Sequence, residues 1–279
     1  MLPHKLLSWI PEDKLIPRNL SRNPNAITYL TARPHLIDWD VLSCNPNAID
    51  LLTANPRRIN WRNLSCNKNA LDLLIKNQHL IDWYRLSSND NRRAIEMLEA
   101  NRDRIYWSQL ATNPSAIYLL EERMEKFPYD DWWDMLVYNR LGLSLIHKHI
   151  SAFHSYVLRC HPDTHLSINP TDESYLSLPA GYMSNPKVID QIEQIVNQTE
   201  YHIHWDDLSS NPAAIHILQK NIDKIAWRYL SDNPAIFEID YQLMATQRSR
   251  IIEDELLARA LAPERVAKWH QAGVNFEFI

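Results

Sequence analysis

Apolar positions return along most of this chain in blocks about 22 residues apart. Trp39 to Leu52 reads WDVLSCNPNAIDLL and Trp61 to Leu74 reads WRNLSCNKNALDLL. Trp107 to Leu120 reads WSQLATNPSAIYLL and Trp205 to Leu218 reads WDDLSSNPAAIHIL. The shared pattern is W-x-x-L-S-x-N-P-x-A-I-x-L-L-x-x-N-x-x-x-I-x. With the tryptophan as the first slot, ten copies begin at Pro17, Trp39, Trp61, Trp83, Trp107, Trp133, Ser155, Pro179, Trp205 and Trp227. Insertions fall at Asp90 to Arg93, around Met124 to Asp131, and between Thr164 and Pro179. A fixed period of this length marks a repeat array, in which each unit buries its apolar face only against its neighbours.

The pattern predicts helices. Asparagine before proline is a start signal: its side chain accepts from an orphan backbone N–H, and proline has no N–H to leave unpaired. Asn45-Pro46 therefore opens a helix to about Asn55, with Ala48, Leu51 and Leu52 on one apolar face. The same capping role is expected of Asn23, Asn67, Asn113, Asn185, Asn211 and Asn233. Asn55-Pro56 ends this helix and opens a second arm through Trp61 and Leu64. The second arm reads two ways. Trp61 and Leu64 are three apart, as on a helix; Ile59 and Trp61 are two apart, as on a strand. The expected fold is an all-α, right-handed-type solenoid of short helix pairs in ten units, with a leucine-rich-repeat-like α/β solenoid as the alternative.

The boundaries follow. Residues 1–16 form an N-terminal cap, 17–240 the array and 241–279 a C-terminal helical cap; the middle, about 124–200, is degenerate. Trp39, Trp61, Trp83, Trp107, Trp133, Trp205 and Trp227 are expected to form a buried structural ladder. On that basis Trp61→Ala costs about 3–5 kcal/mol.

Composition narrows the chemistry. Three glycines against sixteen prolines in 279 residues weigh against hairpin folds, dinucleotide folds and phosphate-gripping loops. No apolar run reaches the length of a membrane span, and the first ten residues lack the features of a secretory leader. Cys44, Cys66 and Cys160 make an odd, low count, which predicts a reducing compartment. Cys44 and Cys66 occupy one slot of successive units; at a helix spacing of about 8–10 Å both are expected to be free thiols.

The run from Leu42 to Leu52 and the entry Leu6-Leu7-Ser8-Trp9-Ile10-Pro11 resemble the tryptophan- and asparagine-rich repeat proteins of large DNA viruses of algae and protists. The ending, Pro263 to Trp269 with Gly273, is similar to that family's closing segment. The resemblance covers nearly the whole chain, departing between about Met124 and Glu200. It implies a viral protein, in the virion or in the cytoplasm of the infected host cell, and carries no catalytic residue with it.

Candidate chemistry is thin. His147, His149, His154, Cys160, His161 and His165 cluster in sequence, but without a second cysteine pair they do not make the usual zinc pattern. His161 reads as a stand-in for the asparagine cap. His202 and His204 precede Trp205 in a slot that elsewhere holds Asp38, Asn60, Asp82 and Tyr106, and so varied a slot is expected to be exposed. Asp130, Asp131 and Asp134 read as a solvated helix start. Ser21, Ser43, Ser65, Ser87, Ser209 and Ser231 recur in the same slot of six units, which suits packing or capping and not a nucleophile. No catalytic group, metal site or cofactor is expected.

The outward slots are free to recognise something. The first expectation is a protein-protein interaction scaffold, either a virion structural component or an adaptor for a host protein. The alternative is a nucleic-acid-binding helical repeat protein. Residues 1–120 carry 15 Lys and Arg against 11 Asp and Glu, a net of +4, whereas the remainder carries 14 against 23, a net of −9. Only the first half therefore suits phosphate, through Arg57, Arg58, Arg62, Arg92, Arg93, Arg102 and Arg104 as the candidate interaction surface.

Overall fold

The computed structural model describes residues 2–127, 132–139, 141–148, 182–196 and 203–271. The fold is all-α: short helices and 3-10 turns throughout, with one small antiparallel sheet among the described residues. None of the described helices is long and apolar enough to cross a membrane.

A unit has four short pieces. In the second, a helix (Trp39–Leu42) leads through a turn at 44–48 to a second helix (Ile49–Ala54) and a 3-10 turn (Pro56–Arg58). Ile59 and Asn60 are then extended, and the next unit opens with Trp61–Leu64. Two details of the sequence reading change. Asn45-Pro46 opens a tight turn, with the second helix starting only at Ile49. The alternation of Ile59 and Trp61 comes from two extended residues ahead of a helix cap, so the leucine-rich-repeat alternative falls.

The slot before the tryptophan is that cap. Asp38, Asn60 and Asp82 accept from the backbone N–H of Val41, Asn63 and Arg85 at 2.9–3.1 Å. The slot is half-buried at Asp38, Asn60, Asp82 and Ala226; it is exposed at Ile16, Tyr106 and, as expected, His204, none of which caps its helix through the side chain. The expectation of a generally exposed slot was drawn from its variability. Aspartate and asparagine share a carboxyl or amide oxygen, and that oxygen is what the helix start requires.

The centre is made of leucine and asparagine. Leu20, Leu42, Leu64, Leu86, Leu110, Leu136, Leu208 and Leu230, all in the slot three after the tryptophan, are fully buried. So are Leu30, Leu52, Leu74, Leu98, Leu120 and Leu218 of the second helices. Trp39, Trp61, Trp83, Trp107, Trp205 and Trp227 are only partly buried at the margin of this core. The buried ladder expected of them is formed instead by the leucines, with Tyr182 in the same slot of its unit. The Trp133 side chain lies outside the described residues. Trp107 meets Trp132 with ring centroids 6.3 Å apart, while Trp83 and Trp205 are covered by the cationic heads of Arg104 and Lys224, each at 5.0 Å.

Consecutive units are joined by polar groups that a backbone ladder would ordinarily supply. Asn23, Asn45, Asn67, Asn89, Asn113, Asn139, Asn211 and Asn233 are buried, and the Nδ2 of each donates to two carbonyls of the unit stacked before it. Asn45 donates to Ser21 O and Asn23 O at 3.0 and 2.9 Å, and Asn67 to Ser43 O and Asn45 O at 3.0 and 2.8 Å. The slot serine donates to the tryptophan carbonyl four residues back and accepts the N–H that opens the next unit. Ser43 Oγ thus binds Trp39 O and the Asn60 N–H, both at 2.9 Å.

These bonds give the order of the units in space. Asn211 donates to Asn185 O, Asn233 to Asn211 O, and Asn23 to Asn233 O at 2.8 Å. The first unit therefore stacks on the last. Near this seam β1 (His4–Leu6) pairs antiparallel with β2 (Phe237–Ile239), His4 opposite Ile239. The segment expected to cap a free N-terminal end instead helps join the two ends of the array. The segment expected as a C-terminal cap contains two helices, Tyr241–Ala260 and Pro263–Gln271. Ile251, Ile252, Leu256 and Leu257 on the first of these are 48–60% exposed, so that helix does not bury them on the last unit.

Candidate functional site

The asparagine slot was read as helix caps, and each side chain does more than cap. Asn23, Asn45, Asn67, Asn113, Asn185, Asn211 and Asn233 all accept from the backbone N–H two residues on, at 3.0 Å. Asn89 and Asn139 belong to the same row and were missed. Asn89 donates to Ser65 O and Asn67 O, and Asn139 to Ala111 O and Asn113 O. Aspartate and arginine follow them where proline was used as the signal; counting slots from Trp83 and Trp133 finds both. With both counted, nine asparagines are buried among the described residues. A second row lies two residues on, where Asn47 Nδ2 reaches Pro24 O at 2.9 Å and Asn69 Nδ2 reaches Pro46 O at 2.8 Å.

The candidate arginine surface is occupied by its own neighbours. Arg93 pairs with Asp72 of the preceding unit at 2.7 Å, and Arg102 grips both carboxylate oxygens of Glu122 at 3.0 and 3.2 Å. Arg62 pairs with Asp82 at 3.4 Å and Arg92 with Glu96 at 3.3 Å. Arg104 lies on the Trp83 ring. The Arg102 and Lys126 heads together hold the Glu122 carboxyl down to about 2. Arg57 and Arg58 are exposed and make no ion pair among the described residues. What reads in sequence as a basic track is thus largely a set of exposed ion pairs.

Arg92, Arg93 and Glu96 border two open clefts on either side of one helix. The insertion at Asp90 to Arg93 yields a second helix of eight residues, Arg92–Glu99, where the second unit has six. On one side Trp83, Met97, Ile75, His79 and Arg104 line a cleft of about 620 Å³. On the other, Ile95, Tyr118, Glu99 and Ser115 line one of about 520 Å³. Glu96 borders both. Tyr118 is 52% exposed and its hydroxyl donates to Glu99 at 2.9 Å. Nearby, the exposed rings of Tyr84 and Tyr106 meet edge to face at 5.4 Å.

Among the described residues no three His, Cys, Asp or Glu side chains converge as metal ligands. His149, His154, Cys160, His161, His165, His202, Asp130 and Asp131 lie outside the described residues, as do the side chains of His147 and Asp134. The slot serines are fully buried and spend their hydroxyls on the backbone.

No family model, curated protein or solved structure matches this chain.

Proposed function

We propose that this protein is a protein-protein interaction scaffold, with its contact surface centred on the helix Arg92–Glu99 and the clefts on either side. The supporting observation is the pairing of those clefts with aromatic and methionine walls, rimmed by charges of both signs. Protein interfaces are anchored by tyrosine, tryptophan, methionine and arginine set in such recesses, with a polar rim. A nucleic-acid track is less well served, because Arg62, Arg92, Arg93 and Arg102 already face carboxylates and would release few counterions on meeting phosphate. The buried side chains of each unit are spent on joining the next one, which leaves recognition to the outer slots.

The viral setting, with the choice between virion component and host adaptor, rests on the repeat motif alone and is part of the proposal. A photo-crosslinking residue at Met97 or Tyr118, compared with one at Thr53, tests the surface. Crosslinks to one protein partner, concentrated at positions 97 and 118, are expected. Equal labelling at Thr53 overturns the assigned surface. Salt-sensitive retention of single-stranded RNA on a filter, abolished by Arg57→Ala with Arg58→Ala, overturns the protein-scaffold reading in favour of nucleic acid. Mass spectrometry of purified particles tests the virion assignment.

A further inference from the structure

The Cys44 and Cys66 thiols are both free and half-buried, yet their sulfurs lie 3.6 Å apart across the boundary between two units. The sequence reading expected free thiols from the backbone spacing. The side chains bridge most of that distance. Each cysteine sits between the serine and asparagine that join its unit to the neighbour. Asn67 reaches Ser43 O and Asn45 O on either side of Cys44, and the Asn60 N–H reaches Ser43 Oγ. The unit-to-unit hydrogen bonds therefore hold the two sulfurs face to face.

Their surroundings favour a thiolate. One proton shared between the sulfurs makes its first loss easy and the second hard. This hydrogen bond pushes Cys66 down to about 7 and Cys44 up. The positive charges of Arg85 and Arg22 act in the lowering direction on both. Arg85 Nε is buried and makes no hydrogen bond among the described residues. A thiolate beside guanidinium groups is the reactive form of cysteine, and the same cationic setting opposes a metal ion, for which no third ligand stands by among the described residues.

We propose that Cys44 and Cys66 are an oxidisable dithiol, which a hydroperoxide converts to a disulfide tying two consecutive units together. The Cys66 thiolate attacks the terminal peroxide oxygen and the O–O bond breaks. The sulfur is oxidised to a sulfenic acid, and the leaving oxygen takes a proton. Cys44 sulfur then attacks the Cys66 sulfur, the S–O bond breaks, and the departing hydroxide leaves as water with the Cys44 proton. The S–S bond of about 2.05 Å forms by rotation of the two side chains toward each other. The two sulfurs lose two electrons and the hydroperoxide gains them.

The test uses the full chain with Cys160→Ser, so that only this pair remains. Serine occupies the same slot as Ser88 and Ser210, so single Cys→Ser variants keep the fold. Hydrogen peroxide at pH 7 is expected to remove the mass of two hydrogens and to link the peptides carrying Cys44 and Cys66. In Cys44→Ser no link forms, and dimedone traps a sulfenic acid at Cys66. Alkylation of the pair by iodoacetamide is expected to rise through a midpoint near 7, below the ordinary thiol value of about 8.5. Oxidation of each cysteine separately to sulfinic acid overturns the proposal, as do a disulfide formed only between chains and an alkylation midpoint at the ordinary value.

Discussion

The boundary between the second and third units and the seam between the last and first use the same bonds to different ends. At the internal boundary Asn67 donates to Ser43 O and Asn45 O, and the Asn60 N–H donates to Ser43 Oγ. At the seam Asn23 donates to Ser231 O and Asn233 O, and the Ile16 N–H donates to Ser231 Oγ. The internal partners are 22 residues apart in the chain; those at the seam are 210 apart. Loop-closure entropy grows with the logarithm of length, so a tenfold longer loop costs about 2 kcal/mol more to close. The seam carries additions that offset this: the β1 and β2 pairing, and the Tyr29 and Phe237 rings edge to face at 5.8 Å. Identical polar contacts thus suffice between units linked in sequence, whereas the ends need an apolar and a backbone supplement.

The largest expected effect comes from removing a slot asparagine inside the array. Asn45→Ala leaves two buried carbonyls and the Asn47 N–H without their partners. At about 1–3 kcal/mol for each such group, with part regained by relaxation, a loss of about 3–5 kcal/mol in denaturant unfolding is expected. Asn23→Ala removes the same bonds at the seam. There the expected result is local opening: hydrogen exchange rises at residues 4–6 and 237–239 well before global unfolding. Equal global losses from the two substitutions would mean that seam and interior form one cooperative unit.

Phe237→Ala tests the supplement itself. Phe237 is buried against Tyr29, and truncating a buried phenylalanine costs about 3–5 kcal/mol when the site cannot collapse. A seam can open instead, so about 3 kcal/mol is expected, read as exchange of β1 and β2 amides with the melting temperature of the array little changed. A uniform fall in protection across Leu42, Leu64 and Leu86 would place Phe237 in the common core.

Trp61→Ala sharpens the comparison by separating what was legible in the sequence from what was not. The period, the unit boundaries and the helical class could be read because proline, asparagine and tryptophan recur in register. The burial order could not. A tryptophan at the head of seven of the ten units suggests the core, yet leucine fills it and the indole lies at the margin. Trp61→Ala is therefore expected to cost about 1–2 kcal/mol, below the truncation of the fully buried Leu64 at about 3 kcal/mol. The second role of the asparagines, the seam and the clefts were equally hidden, because each depends on which residues far apart in the chain become neighbours. The arginine surface misled for a related reason: Asp72 and Glu122 stand about 20 residues from Arg93 and Arg102, beyond the reach of any local charge count.

The smallest effect is expected at Asp232, where the seam is tuned by a single charge. Burial raises its pKa above 3.8 and the Arg22 guanidinium only partly opposes this. A carboxyl whose pKa is raised on folding binds its proton more tightly in the folded state. Its contribution to the seam is then greatest below the unfolded value and declines as pH rises through the folded one. At neutral pH the ionised Asp232 holds the seam less well than its protonated form would. Asp232→Asn is expected to leave exchange at residues 237–239 no faster than in the parent protein at pH 7. It should also abolish the change in that exchange free energy on the alkaline side of pH 3.8, after correction for intrinsic exchange. Faster exchange in the variant at pH 7 would show that the Arg22 ion pair outweighs the cost of burying the carboxylate, and that electrostatic attraction belongs beside Phe237 among the contacts closing the ends.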